Sequence, residues 1–174
     1  MLIIFGGLPG TGKTTIAKLL SAQLKATYLR IDSIEQILRK DDNSIGPDGY
    51  KIAYALAREN LDLGIDVIAD SVNSIKETRE AWKNVALDSN HFYVEIELIC
   101  SNLDEHQRRV ELRQPDIKNQ KLPTWDDVLK RNYEPWQSKQ LIIDTSKHSA
   151  LESVDIILDF IKLKNSHPKS DEAL

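Results

Sequence analysis

Leu2-Ile3-Ile4-Phe5-Gly6-Gly7-Leu8-Pro9-Gly10-Thr11-Gly12-Lys13-Thr14 is the stretch that decides how this chain is read. Its first four residues are uninterruptedly apolar, as in a strand buried on both faces, and two glycines then stop the run. Residues 7–14 satisfy G-x-x-x-x-G-K-[ST] in full. A helix is predicted over 13–24, because Ile16, Leu19, Leu20 and Leu24 recur at helical spacing. Strand, glycine loop and helix, in that order, are the context that gives the pattern its meaning. The residue types follow from the chemistry of holding an anion. Gly10 and Gly12 let the backbone wrap closely and adopt positive φ. Leu8, Pro9, Gly10, Thr11, Gly12, Lys13, Thr14 and Thr15 form the candidate cradle, with loop amides and the helix N-terminus aimed at a β-phosphate. Lys13 sets a point charge against the β- and γ-phosphates, and the Thr14 hydroxyl is a candidate ligand for Mg²⁺. A nucleoside triphosphate is the expected ligand.

Outward from this stretch, short apolar runs alternate with longer amphipathic ones. Further strands are predicted at 27–31, 65–69, 92–100 and 141–143. Helices are predicted at 33–39, 50–63, 75–87, 103–113, 124–133 and 151–161, with loops at 41–49 and 114–123. Gly64 suits a helix C-cap, and Thr124 with Asp127 suits a capping box. Glu95 and Glu97 suggest a strand only half buried. The alternation implies an α/β fold, a three-layer α/β/α sandwich around a five-stranded parallel sheet. We read residues 1–163 as one domain with a small helical lid at about 104–133, and 164–174 as a flexible tail.

Composition narrows the function classes. The 174 residues suit one domain, and 23 basic against 27 acidic residues give a net charge of −4. Such a chain is poorly suited to coating duplex DNA. It has no apolar run long enough for a membrane span, and no basic region precedes Gly6 as a secretory leader would require. The single cysteine, Cys100, permits no internal disulfide and fits a cytoplasmic location; it reads as a small buried residue at a strand end. An Asn-Lys-x-Asp base-recognition sequence and a Leu-Ser-Gly-Gly-Gln signature are both absent, which argues against a GTPase and a transporter-type ATPase. None of the four histidines has metal-ligand spacing with a partner.

Three constellations carry chemistry beyond the loop. Asp32 follows the second predicted strand, at the sheet edge where ligands collect, and could accept the proton of an attacking hydroxyl; it equally suits a helix N-cap. Asp70 ends the third strand after Val67-Ile68-Ala69 and resembles the carboxylate that orients magnesium-bound water, although Asp70 and Asn73 also suit a strand-to-helix turn. Arg109 and Arg113 are four residues apart, so a helix would project both from one face toward a triphosphate; Asp104, Glu105 and Glu111 could instead pair with them on a solvated face. Asp144 and Thr145 end the fifth strand, where a loop could border an adenine ring or simply open the next helix. Pro123, Trp125, Tyr133, Pro135 and Trp136 read better as a small satellite core than as a stacking platform.

These residues resemble the P-loop kinase superfamily, and within it the small branch of AAA-type ATP-binding kinases. The resemblance rests on residues 7–14, on Asp70-Ser71-Val72-Asn73, on residues 109–113, on Leu122-Pro123-Thr124-Trp125, on Tyr133-Glu134-Pro135-Trp136 and on Ile143-Asp144-Thr145. It implies a P-loop fold in which Lys13 and Thr14 hold ATP and Mg²⁺, Asp32 activates an acceptor, Arg109 stacks near adenine and Arg113 reaches the phosphates. A second resemblance is to polynucleotide 5′-hydroxyl kinases. There Val72 departs from an Asp-x-Thr-Asn run, and Glu35 stands where some of those enzymes use an arginine for a 3′-phosphate. The resulting expectation is an ATP- and Mg²⁺-dependent transfer to a hydroxyl of a small molecule, whose pocket is lined from residues 34–58 by Arg39, Tyr50, Tyr54 and Arg58. A polynucleotide or nucleoside 5′-hydroxyl kinase is the alternative, and an ATP-hydrolysing switch that binds a protein partner is the alternative from another class.

Overall fold

Residues 2–5 were expected to be buried on both faces, and they form the middle of the sheet. The computed structural model describes residues 1–39, 46–137 and 140–166. Its strands are β1 (Leu2–Gly6), β2 (Thr27–Arg30), β3 (Val67–Asp70), β4 (Tyr93–Ile99) and β5 (Leu141–Asp144). Its helices are α1 (Lys13–Leu24), α2 (Ile31–Leu38), α3 (Asp48–Asp62), α4 (Lys76–Asp88), α5 (Leu103–Leu112), α6 (Trp125–Leu129) and α7 (Ala150–Ser166). The strands pair in parallel in the order β2-β3-β1-β4-β5, with Leu2 opposite both Val67 and Tyr93.

The two-residue period of β1 divides the core. Ile3 and Phe5 point into one layer with Ile16 and Leu20 of α1 and Ile157 of α7. Leu2 and Ile4 point into the other, against Ala53, Ala57 and Leu61 of α3 and Trp82 of α4. The alanines let α3 lie close to the sheet, and Trp82, fully buried, fills the remaining volume. Among the described residues, no helix is long and apolar enough to cross a membrane.

Several predicted boundaries move. Strand β2 stops at Arg30 and α2 begins at Ile31, earlier than the expected 33, so Asp32 sits inside the first turn and Arg30 is the N-cap. Helix α5 stops at Leu112, leaving Arg113 extended at the C-cap (φ −61°, ψ 132°). Gln114 precedes Pro115, whose ring disfavours helical backbone just before it. Helix α6 covers only the start of 124–133, although the Thr124–Asp127 capping box forms. Strand β4 is more buried than its glutamates suggested: Glu95 lies in the interior, 3.5 Å from the Lys83 ammonium. Helix α7 runs to Ser166, so the first residues of the expected tail are helical; 167–174, like 41–45 of the expected loop at 41–49, lie outside the described residues. Cys100 is buried just past β4, as expected.

Candidate active site

The loop after β1 and the turn after β3 meet at the carboxyl edge of the sheet, where the Gly7 amide donates to the Val72 carbonyl (3.0 Å). That is the edge at which open parallel sheets bind ligands. Asn73 takes a left-handed backbone (φ +48°), and its side-chain amide donates to the Phe5 carbonyl (2.6 Å), which locks the turn to β1. Within the loop, Gly10 is required twice over. Its φ is +85°, and a Cβ there would fall 2.5 Å from Val110 of α5. Gly12 caps α1 without a side chain, so the first helical amides keep free donors for an anion.

Lys13 folds back over the loop and donates to the Leu8 carbonyl (2.9 Å). It is only 8% exposed. Burial pulls its pKa down to about 8, against the opposing pull of Asp70 and Asp32. The Thr14 hydroxyl donates to Asp70 Oδ2 (2.8 Å), and the Tyr28 phenol donates to the same oxygen (2.6 Å). A hydroxyl and a carboxylate side by side are hard oxygen donors suited to Mg²⁺, which takes few protein ligands and completes its shell with phosphate and water. Tyr28 was not singled out in the sequence; its position in β2 beside β3, opposite Ile68, is what brings it to Asp70.

Two cavities flank Lys13, Thr14 and Arg113, and these three residues line both. One, of about 550 Å³, runs along Gly10, Gly12 and Thr15 past Arg109. The other, of about 380 Å³, opens on the opposite side and is lined by Asp32, Glu35, Arg39, Tyr50 and Asp70. Asp32 therefore faces the loop, as the sequence suggested, but from within α2 rather than as its cap. Burial, followed by the nearby Asp32 charge, pushes the Glu35 carboxyl above the usual range, and burial pushes the Tyr50 phenol up to about 12. Tyr54 and Arg58 do not line this cavity. Tyr54 meets Trp82 edge-on at 4.6 Å, and Arg58 pairs with Asp88 at 2.9 Å.

The two arginines expected on one helix face come from different settings. Arg109, in α5, donates to Glu105 (2.8 Å) and to the hydroxyl and carbonyl of Thr145 (both 2.9 Å). Arg113, beyond the helix end, lies 3.9 Å from Asp116. Both still border the larger cavity, and both side chains are about 70% covered rather than fully solvated. Thr145 is thus an anchor for Arg109. The Asp144 carboxylate accepts from Ser101 and Ser146 and lines neither cavity. Leu8 and Thr11 serve the loop itself, with the Thr11 hydroxyl donating to the Leu8 carbonyl (2.9 Å).

Three supporting residues escaped the sequence reading or took roles it did not foresee. Asp116 receives a two-pronged bond from Arg30 (2.7 and 2.9 Å) and one from Lys18 (3.0 Å), tying the irregular segment after α5 to β2 and α1. These bonds hold its carboxyl well below the usual range. The His106 ring lies 2.8 Å from the Pro9 carbonyl, with Trp125 edge-on behind it at 5.1 Å. Arg79, only 4% exposed, donates to the carbonyls of Asn73, Glu134 and Pro135 and lies 4.9 Å from the Trp136 ring. Trp136 in turn covers Gly6 so tightly that a Cβ there would lie 2.2 Å from it. The aromatic residues near the C-terminal half are accordingly a satellite core that backs the loop.

Comparison with known proteins agrees with this fold. A family model described as an AAA domain matches residues 2–135. The pentafunctional AROM polypeptide of Schizosaccharomyces pombe aligns at 25% identity over 89% of this chain, which spans only 11% of that polypeptide. The APS kinase CysC of Mycobacterium tuberculosis, solved with AMPPNP and APS, superposes with a TM-score of 0.70 at 18% identity, covering 92% of this chain and 96% of that one. Kti12 of Chaetomium thermophilum, solved with ADP-AlF3, superposes with a TM-score of 0.68 at 23% identity, covering 91% and 98%. The family match spans well over half of the chain and contains the whole loop, and so this chain belongs to the AAA domain family, built on the fold of the small P-loop kinases.

Proposed function

We propose that this chain is a kinase that moves the γ-phosphoryl group of ATP to a hydroxyl of a small-molecule acceptor, with Mg²⁺. The observation that carries this reading is the meeting of two cavities at Lys13, Thr14 and Arg113. A triphosphate lying along Gly10 and Gly12 in the larger cavity would present its terminal phosphate to the smaller one, where Asp32 stands. Catalysis of phosphoryl transfer is mostly positioning and charge stabilisation, and these residues supply both.

The loop amides and the N-terminus of α1 orient the β-phosphate, and Lys13, charged below about pH 8, bridges the β- and γ-oxygens. Thr14 and Asp70 would hold Mg²⁺, which when bound neutralises phosphate charge. Asp32 accepts the acceptor's hydroxyl proton as that oxygen bonds to the γ-phosphorus. The bond from phosphorus to the β,γ-bridging oxygen breaks, and ADP leaves with that electron pair. Arg113 lies at the junction, where charge moves toward the leaving oxygen; Arg109, steadied by Glu105 and Thr145, flanks the nucleotide. ATP turnover measured with and without a panel of hydroxyl metabolites tests the reading. Slow hydrolysis alone and acceleration by one acceptor class support it, whereas acceleration only by a protein partner points to the switch.

A further inference from the structure

Six of the eight arginines of this protein have a carboxylate within 4.0 Å: Arg30 with Asp116 at 2.7 Å, Arg58 with Asp88 at 2.9 Å, Arg108 and Arg109 with Glu105 at 2.7 and 2.8 Å, Arg79 with Glu134 at 4.0 Å and Arg113 with Asp116 at 3.9 Å. Arg39 and Arg131 do not, and neither does Lys121: among the described residues none of the three forms an ion pair. All three line the smaller cavity, and none lines the larger one. In a chain of net charge −4, the two arginines that form no ion pair among the described residues both line this one concavity, with Lys121 beside them. They also come from different walls. Arg39 ends α2, whereas Lys121 and Arg131 belong to the segments flanking α6, and Gln36 of α2 reaches that segment through the Asn119 carbonyl (3.3 Å).

The carboxylates in the cavity do not neutralise them. Asp70 is taken by Thr14 and Tyr28, and Asp32 already faces the buried Arg30 at 3.5 Å. Glu35 feels Arg39 and Arg131, but it is also half buried beside Asp32. Three cations lining one cavity repel, and each keeps its donors for an oxyanion. A volume of about 380 Å³ is at the small end for ligand sites, enough for a metabolite but not for a polymer end with its neighbours.

Resting on the kinase reading, we infer that the acceptor is a small compound carrying an anionic group (phosphate, sulfate or carboxylate) besides its hydroxyl, and that Arg39, Arg131 and Lys121 hold that group. The anion bridges the α2 wall to the segment around α6, drawing the two together as the acceptor binds. Neutral alcohols and sugars leave the three charges unmet and are discriminated against.

The test uses the full chain saturated with Mg²⁺ and AMPPNP, titrated separately with inorganic phosphate, sulfate and acetate at constant ionic strength, with binding followed by calorimetry. At least one oxyanion should bind saturably, and which one binds identifies the group. Arg39→Gln with Arg131→Gln should weaken it at least tenfold, Arg39→Lys with Arg131→Lys should restore part of the loss, and Arg58→Gln, at a residue that lines neither cavity and pairs with Asp88, should change nothing. Absence of saturable binding, or binding that survives the double glutamine change, overturns the proposal. Anion binding does not need turnover. Arginine-dependent binding without phosphoryl transfer to any acceptor would therefore overturn the kinase reading and leave the anion site standing.

Discussion

Raising the pH from 7 to 9 is expected to weaken Mg-ATP binding about tenfold through Lys13. Burial holds the ammonium pKa down from 10.5 to about 8, against the pull of Asp70 and Asp32. About nine-tenths of the free protein then carries a charged Lys13 at pH 7, and about one-tenth at pH 9. A bound triphosphate favours the charged form, so above pH 8 binding takes up a proton, and affinity falls by about tenfold for each further pH unit. Stability should move the other way. The folded pKa lies below that of the unfolded chain, so between about pH 8 and 10.5 the unfolded chain binds more protons and the fold gains stability as pH rises. A fall from 10.5 to about 8 corresponds to roughly 3 kcal/mol held against the fold at neutral pH without nucleotide. Lys13→Met should recover much of that while abolishing nucleotide binding, a stability gain at the expense of function. Calorimetric titration at pH 7, 8 and 9, in buffers of different ionisation enthalpy, reads affinity and proton uptake together. Lys13→Arg, which stays charged, should give a flat profile. Wild-type affinity that is constant from pH 7 to 9, with no proton uptake, would refute the placement of Lys13 on the phosphates.

Asp32→Asn keeps the size of the side chain but cannot take a proton, so the transfer rate should fall about 10²–10⁴-fold with ATP affinity roughly kept; a loss of only a few-fold in steady-state kinetics would remove Asp32 as the base. Arg113→Ala should lower kcat, because its charge is used most as the phosphoryl group moves, whereas Arg109→Ala should mainly raise the KM for ATP. Normal kinetics in both would return them to structural roles. Arg79→Met should destabilise the protein by about 3 kcal/mol or more in urea unfolding, because three carbonyls lose a buried donor and Trp136 loses its cation. A change under 1 kcal/mol there would show that Trp136 holds its place against Gly6 unaided.

The parts of the site that were legible in the sequence are those that a local pattern encodes. The apolar run 2–5, the glycine spacing through Lys13 and Thr14, and the Val67-Ile68-Ala69-Asp70 strand each declare themselves within a few residues, and parallel pairing of β1 with β3 brings Thr14 to Asp70. The supporting contacts are long-range and carry no period. Asp116 meets Arg30 from 86 positions away and His106 meets Pro9 from 97, and nothing near either residue marks the partner. The misplacement of Arg113 was avoidable, since the Gln114-Pro115 pair signals a helix end before it. Glu95 misled for a different reason. A glutamate in a strand suggests an exposed face, but here Lys83 of α4 covers it and supplies a counter-charge inside.

The central claim is that a phosphoryl group crosses from the loop-side cavity to an acceptor beside Asp32. It is tested most directly by following γ-labelled ATP, with the acceptor class that stimulates turnover, and separating labelled organic product from labelled inorganic phosphate. The account predicts label in an organic phosphate ester for the wild-type protein, and loss of that product in Asp32→Asn and Lys13→Met. Label appearing only as inorganic phosphate, whatever acceptor is present, would contradict it.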